Sequence, residues 1–233
     1  MPGRDEELQH IRDTYAGYRE RRSHLWSTDN PGFARIVEDR DRALAGLIAD
    51  STMGRTDPRV LDVGCGPGRL ASVLRGAGMR VSFTGLDLLP EMLDAALMAD
   101  PSASWVQGSA DRLPFADGSF DVVVASTLFS SLPQGTLEVA VAAEIGRVLA
   151  EDGLVVWYDL RYPSPGNRSV RPITRGRLSR LFPGWRAELR TITLLPPLAR
   201  RLGWATTVAY PLLERIPVLR SHLVGRLRRL DRI

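Results

Sequence analysis

From about residue 57 onward, short apolar runs alternate with stretches in which apolar residues recur every third or fourth position. Arg59 to Gly64 (RVLDVG) follows Pro58 and ends in glycine, the pattern of a buried strand. Gly68 to Arg75 predicts a helix with Leu70, Val73 and Leu74 on one face. Val81 to Leu86 reads as a second strand, closed by Asp87. Pro90 to Ala99 reads as a helix with proline in its first turn and Met92, Leu93, Ala96 and Leu97 directed inward. Trp105 to Gln107 is a short third strand, and Phe120 to Ser126 (FDVVVAS) a fourth, apolar almost throughout as in strands covered on both faces. A helix over Glu138 to Leu149 and a fifth strand over Leu154 to Leu160, after a turn at Gly153, complete the series. Regular alternation of this kind predicts an α/β fold with a doubly wound parallel sheet.

The flanks differ. Glu6 to Arg22 and Ala34 to Thr52 are amphipathic helical stretches joined by the turn-rich Ser27 to Gly32. They are expected to form an N-terminal helical lid over residues 1–54, with the main domain at 55–233 and acceptor-pocket elements at 160–220. Beyond the fifth strand come a proline-rich loop, a short helix at Arg175 to Leu181 and a strand at Trp185 to Leu194. A proline-punctuated helix spans Leu198 to Ile216, and Ser221 to Leu230 fits either a strand or a helix.

Composition narrows the class. With 44% hydrophobic and 25% charged residues, the 233-residue chain is ordinary for a globular domain and unlike a disordered one. Its single cysteine, Cys65, excludes an intrachain disulfide and a cysteine-rich zinc site. The acidic, polar MPGRDEELQ start is no secretory signal, so a cytoplasmic location is expected. The apolar run Leu202 to Leu213 has twelve residues, where a membrane-spanning helix needs about 20. Charge is uneven: residues 1–160 hold 15 arginines against 24 acids, and residues 161–233 hold 16 against 3, a balance of −9 and +13. A basic C-terminal part of this kind fits a solvated rim, an anionic substrate, a membrane surface or a nucleic acid. Its arginines are spread without a compact block, which favours the solvated rim.

The chemistry concentrates in VLDVGCGPGRL, Val60 to Leu70, where a strand runs through Gly64, Gly66 and Gly68 into a helix. Glycines let the backbone approach a ligand closely, and the helix start offers unpaired N–H groups. The dinucleotide pattern G-x-G-x-x-G fails, because Arg69 stands at the third glycine position. Asp62 places an acid inside the strand, and Asp87 closes the second strand, where a carboxylate can accept both hydroxyls of a ribose. Cys65, between glycines and with no base nearby in sequence, reads as a small space-filling residue.

At these residues the chain resembles class I S-adenosylmethionine-dependent methyltransferases, among them bacterial type 11-like members. LDVGCGPG matches the glycine motif, GLDLLPEML the acid of the second strand, and GSADRLPFADGSFDVVVAS the third and fourth motifs. The resemblance implies a Rossmann-like sheet of seven strands with helices on both faces and the last strand antiparallel. It implies S-adenosylmethionine as methyl donor, with S-adenosylhomocysteine as product and no metal. Asp62 would sit beneath the methionine moiety, with Gly64, Cys65 and Gly66 lining the cofactor. Asp87 would take the ribose hydroxyls, Leu88 would press on adenine, and Asp111, beside Ala110, would meet the adenine amine. Ser126, Thr127 and Leu128 would face the methyl group, and Phe129 joins the acceptor side. Tyr15 and Tyr18, three apart on one helical face, fit either a cap over the cofactor or core packing.

Methyl transfer from a sulfonium mainly requires the acceptor to be held in line with the donor. No decisive base stands after the fourth strand, where the chain reads SSLP. Asp159 and His24 are the candidate catalytic groups, and Tyr158, Arg161 and Asn167 the candidates to assist at the acceptor. The absence of [DN]-P-P-[YFW] at Ser126 to Phe129 argues against base-amine and glutamine methylation. The expected activity is methylation of a small-molecule acceptor, favouring an oxygen of a bacterial secondary metabolite or sugar, by a monomer or homodimer. Alternatives are an RNA- or lipid-directed methyltransferase, with peripheral membrane contact, and a non-catalytic protein that binds S-adenosylmethionine. A nicotinamide dehydrogenase is disfavoured by Arg69.

Overall fold

Strand β1 (Arg59–Val63) buries its last four residues, as a strand must when neighbours flank it on both sides. The computed structural model describes residues 4–9, 11–13, 28–163 and 170–230. In it β1 pairs in parallel with β2 (Ser82–Asp87) and β4 (Phe120–Ser126), with Asp62 opposite Gly85 and Val124. Strand β3 (Ser104–Gln107) extends the sheet beyond β2, and β5 (Leu149–Leu160) beyond β4, both in parallel. Strand β7 (Arg220–Arg229) then inserts antiparallel between β5 and β6 (Trp185–Leu194), giving the order β3-β2-β1-β4-β5-β7-β6. Ser221 to Leu230, open between two readings in the sequence, is therefore the antiparallel strand.

Helices cover both faces. Helix α1 holds residues 4–9 and 11–13, and α2 (Pro31–Thr52) is capped by the Asn30 side chain, which accepts from the Phe33 N–H. Leu44 and Ile48 of α2 and Leu74 of α3 (Arg69–Gly76) pack on Val60, Val122 and Val156 of the sheet. On the opposite face, Val141 and Ile145 of α5 (Thr136–Val148) and Leu178 of α6 (Arg175–Leu181) pack on Leu61, Val123 and Trp157. Helix α4 (Pro90–Ala99) lies against β2 and β3. Two short helices, α7 (Pro196–Arg201) and α8 (Thr206–Glu214), occupy the β6–β7 connection and pack on α2. The start of α2 approaches α7 so closely that a Cβ on Gly32 would lie 1.9 Å from the Ala199 carbonyl oxygen.

The structure departs from the pattern reading in four places. Helix α2, expected in a lid, is a layer of the main domain: its apolar face completes the core, so no boundary falls at 54/55. Strand β5 begins at Leu149, and the Gly153 turn is an irregularity inside it, where the pairing shifts between Phe120 and Val122. The expected helix Leu198 to Ile216 breaks into α7, a 3₁₀ turn at Gly203–Ala205, and α8. Leu97 faces solvent, because it lies 100° round the helix from Ala96, the one fully buried residue of α4.

Trp157 anchors the second core. It is fully buried between Phe129 and Phe182, with ring centroids 5.0 and 6.1 Å away, and its indole N–H has no partner among the described residues. Trp157→Ala should cost about 3–5 kcal/mol, the usual loss for a large aromatic deleted from a core. Trp157→Phe keeps most of the packing and removes the unsatisfied donor, so it should cost under about 2 kcal/mol. Urea unfolding of both variants checks the order; equal losses would refute it.

Candidate functional site

The chain leaves β1 through Gly64, Cys65, Gly66, Pro67 and Gly68 before α3 begins. Gly64, Gly66 and Gly68 have φ of +73°, +53° and +73°, a region that side-chain-bearing residues enter only under strain. At Gly68 a Cβ would also lie 2.6 Å from the Trp105 ring and 2.8 Å from Ala96 Cβ. The turn is tied to the end of β2 at three amides. Gly64 and Cys65 N–H both donate to the Leu86 carbonyl at 2.7 and 3.0 Å, and Gly66 N–H donates to Asp87 Oδ2 at 2.8 Å. The other Asp87 oxygen accepts from Leu89 N–H at 3.0 Å. Burial pushes the Asp87 carboxyl up, against the opposing pull of these backbone donors.

Above the loop, at the carboxyl ends of β1, β2 and β4, a cavity of about 270 Å³ opens. Open α/β sheets bind ligands at this end. Asp87, Leu88 and Met92 line one part, Ser109, Ala110 and Asp111 another, and Ser126, Thr127 and Leu128 a third. Leu8 and Ile11 of α1 close onto it from the N-terminal side. Asp111 is fixed from both directions: Arg4 Nε donates to Oδ2 at 2.5 Å, and the Ser109 hydroxyl donates to Oδ1. Burial raises the Asp111 carboxyl, but Arg4 and Ser109 outweigh it and hold it below the usual carboxylate range.

Asp62, in the strand that leads into the loop, is not among the cavity residues; it is 4% exposed, with Oδ1 unpartnered among the described residues. Burial pushes its carboxyl up to about 7; Arg40 pulls the other way and Asp87 adds to the rise. A buried carboxylate without a donor is costly unless a positive group arrives. The cavity thus offers an acid for vicinal hydroxyls and an apolar slot along Leu88 and Met92, and the strand leading into its loop holds an unmet demand for positive charge at Asp62.

Gly64, Gly66, Asp87, Leu88, Ala110, Asp111, Ser126 and Thr127 therefore converge on one cavity. Cys65 does not line it: the thiol is buried towards Gly85, 2.9 Å from where a Cβ would stand there, and burial pushes its ionisation far up. Phe129, expected near the acceptor, is a core residue, fully buried against Trp157 and Phe182. Tyr158 points to the opposite face, where it stacks on His222 at 4.5 Å, because alternate β5 residues face alternate sides. Asp159 also does not reach the cavity. It is 1% exposed, its Oδ2 accepts from Ser130 N–H at 3.0 Å and its Oδ1 from Leu160 N–H at 2.8 Å. Burial lifts the Asp159 carboxyl to about 6, opposed by the Ser130, Leu160 and Phe129 donors. Its place is to hold the 3₁₀ turn Phe129–Ser131 behind Thr127. Thr127 itself has φ +54°, a strained conformation at the cavity wall, fixed by its N–H to the Tyr158 carbonyl at 2.7 Å. Arg161 is half-buried, laid over the Tyr162 ring at 4.4 Å, and is not among the cavity residues. Tyr15, Tyr18, His24 and Asn167 lie outside the described residues.

Pattern reading missed Arg4, Leu8, Ile11 and Ser109. Leu8 and Ile11 carried a signal, the three-residue spacing on an amphipathic helix, but that spacing does not say which surface the helix covers.

Comparison with known proteins agrees with this geometry. The family described as "Methyltransferase domain" matches residues 60–153. The demethylmenaquinone methyltransferase of Chlorobaculum parvum is 43% identical over 120 residues, covering 50% of this chain and 46% of that protein. The phthiotriol/phenolphthiotriol dimycocerosates methyltransferase of Mycobacterium leprae is 37% identical over 115 residues, covering 47% and 39%. The chain spans about half the length of the curated relatives it matches. Among solved structures, Burkholderia thailandensis 1,6-didemethyltoxoflavin-N1-methyltransferase, with 1,6-didemethyltoxoflavin and S-adenosylhomocysteine bound, superposes with a TM-score of 0.66 at 18% identity. It covers 99% of this chain and 92% of that one. The [4+2]-cyclase SpnF shares the fold at a TM-score of 0.59 and 19% identity, over 82% and 81%. With the matched domain, the strand order and the glycine loop in agreement, residues 60–153 are a methyltransferase domain of the class I S-adenosylmethionine-dependent type.

Proposed function

We propose that this chain transfers a methyl group from S-adenosylmethionine to a small-molecule acceptor, with an acceptor oxygen the favoured site. One observation carries the reading: the Asp87 carboxylate lines the cavity together with Gly64 and Gly66 of the loop it fastens, and the strand that leads into this loop buries an acid, Asp62, with Oδ1 unpartnered among the described residues. Relatives named for demethylmenaquinone and for phthiotriol dimycocerosates support a small-molecule acceptor.

When bound, S-adenosylmethionine supplies an electrophilic methyl carbon on a sulfonium and departs as a neutral thioether. The residues present fit it. A carboxylate offers about four acceptor positions, so Asp87 keeps two for ribose hydroxyls while bonded to Gly66 and Leu89. Leu88 and Met92 provide the apolar surface for the base, and Asp111, held by Arg4 and Ser109, accepts from its amine. Asp62 answers the ligand's positive charge. Ser126 and Thr127 wall the methyl side, and the Asp159-held turn keeps Thr127 in place as a positioning device. Among the described residues, the acids of the cavity are already engaged by donors, so the chain contributes by aligning the two reactants.

Asp87→Ala removes charge-assisted hydrogen bonds worth about 1.5–3 kcal/mol. Calorimetry should therefore show S-adenosylmethionine binding weakened by at least about tenfold; unchanged affinity would overturn the assignment. Release of S-adenosylhomocysteine on mixing with an acceptor panel separates a transferase from a protein that only binds.

Asp62 sets a pH dependence. Its folded carboxyl titrates near 7, above the ordinary value near 4, so between these the folded chain holds a proton the unfolded chain has lost. This site's contribution to stability is complete at the acid end and falls as pH rises through that window. A cationic ligand favours the ionised form, so binding should release a proton and tighten from pH 6 to 8, by at most about tenfold per unit. Calorimetry in buffers of different ionisation enthalpy counts the proton. Asp62→Asn should flatten the profile, and a profile unchanged by this substitution would refute the role.

A further inference from the structure

Helix α8 and the short turns on either side of it expose an apolar stripe. Trp204 is 95% exposed, Val208 71% and Leu212 55%, at four-residue intervals that place them along one line. Ile216 and Val218, also exposed, continue the patch past the end of α8. Isolated exposed apolar residues are ordinary, but five within fifteen residues, three of them at helical spacing, mark an interaction surface. From residue 196 to 220 the chain has four arginines and one acid, Glu214, and Arg201 and Arg215 lie exposed.

The place of the patch is informative. Strand β6 ends at Leu194 and β7 starts at Arg220, paired with each other, and His222 is opposite Leu160 at the end of β5. The connection that carries α7 and α8 therefore stands at the carboxyl end of the sheet, the end where the cavity opens.

We propose that this face is an interfacial docking surface for an anionic lipid bilayer, which turns the cavity-bearing end of the sheet towards the membrane. An indole and aliphatic side chains with exposed Arg201 and Arg215 in the same stretch match the interface between acyl chains and acidic headgroups. Helix α8 is nine residues long, and among the described residues no helix is long and apolar enough to cross a membrane, so the mode is adsorption in the interface plane. A second copy of the chain fits less well, since a twofold pairing would set the arginines of one protomer's stretch against those of the other.

The full chain is sedimented with vesicles of phosphatidylcholine alone and of phosphatidylcholine mixed with phosphatidylglycerol. Binding to the mixed vesicles is expected, at least about tenfold stronger than to phosphatidylcholine alone and weakened by added salt. Trp204→Glu with Val208→Glu should reduce it by at least about tenfold. Met98→Glu, at an equally exposed apolar residue on α4, should leave it intact. Because the substituted residues are at the surface, melting and S-adenosylmethionine affinity should stay as in the parent chain. The proposal falls if the chain remains in the supernatant with both vesicles, or if the double variant binds as before. It also falls if ultracentrifugation shows a dimer that the double variant dissociates.

Discussion

The bond between Gly66 N–H and the Asp87 carboxylate joins the two halves of the cofactor end of this protein. It fastens the turn after β1 to the end of β2, strands already in register from Arg59–Ser82 to Val63–Leu86. The positive φ values of the loop glycines make sense only in that setting. A loop bent back this tightly aims its amides inwards, and one carboxylate both accepts from it and looks into the cavity. Replace the acid, and the turn loses its tie at the same moment as the cavity loses its acceptor.

Four aspartates near the sheet's carboxyl end show how environment divides one side-chain chemistry into separate tasks. Asp87 is held by two amides with acceptor capacity to spare. Asp111 is paired with Arg4 and stays ionised. Asp159 spends both oxygens on the main chain and fixes a turn. Of the four, Asp62 alone is buried with an oxygen unmet among the described residues, and burial raises it furthest, to about 7 against about 6 at Asp159. Three of these carboxylates are satisfied within the protein; the fourth points to a ligand that brings charge.

Much of this was legible in the chain itself. Six of the seven strands, the glycine loop and the Asp87 position follow from apolar runs, glycine spacing and an acid closing a strand. These are local signals, set within a few residues. The last strand, Ser221 to Leu230, is open between strand and helix in that pattern, and only the family resemblance decides it. What escaped depends on long-range packing. Phe129 and Tyr158 have side chains suited to an acceptor pocket, yet the pleat of β5 and the turn after β4 send them into opposite cores. Asp159 looked like a base because it ends a strand at the right edge; the amides of Ser130 and Leu160 occupy it instead. Arg4, more than 100 residues from Asp111, could not be paired with it by any spacing rule.

The same logic separates what the fold shares from what is particular to this chain. A toxoflavin N-methyltransferase and a [4+2]-cyclase both superpose on it at below one-fifth identity, so the sheet and loop do not determine which reaction follows. The uneven charge of the sequence becomes uneven in space, because the strand order gathers β7, β6 and their connecting helices at one edge. Part of that charge is spent internally: Arg177 pairs with Glu138, and Arg226 with Asp50. The matched family domain ends at residue 153, before this edge begins. The acidic part of the chain thus contains the matched domain, and the basic part, beyond that match, carries the stretch where α8 and its flanking turns set Trp204, Val208 and Leu212 outwards between Arg201 and Arg215.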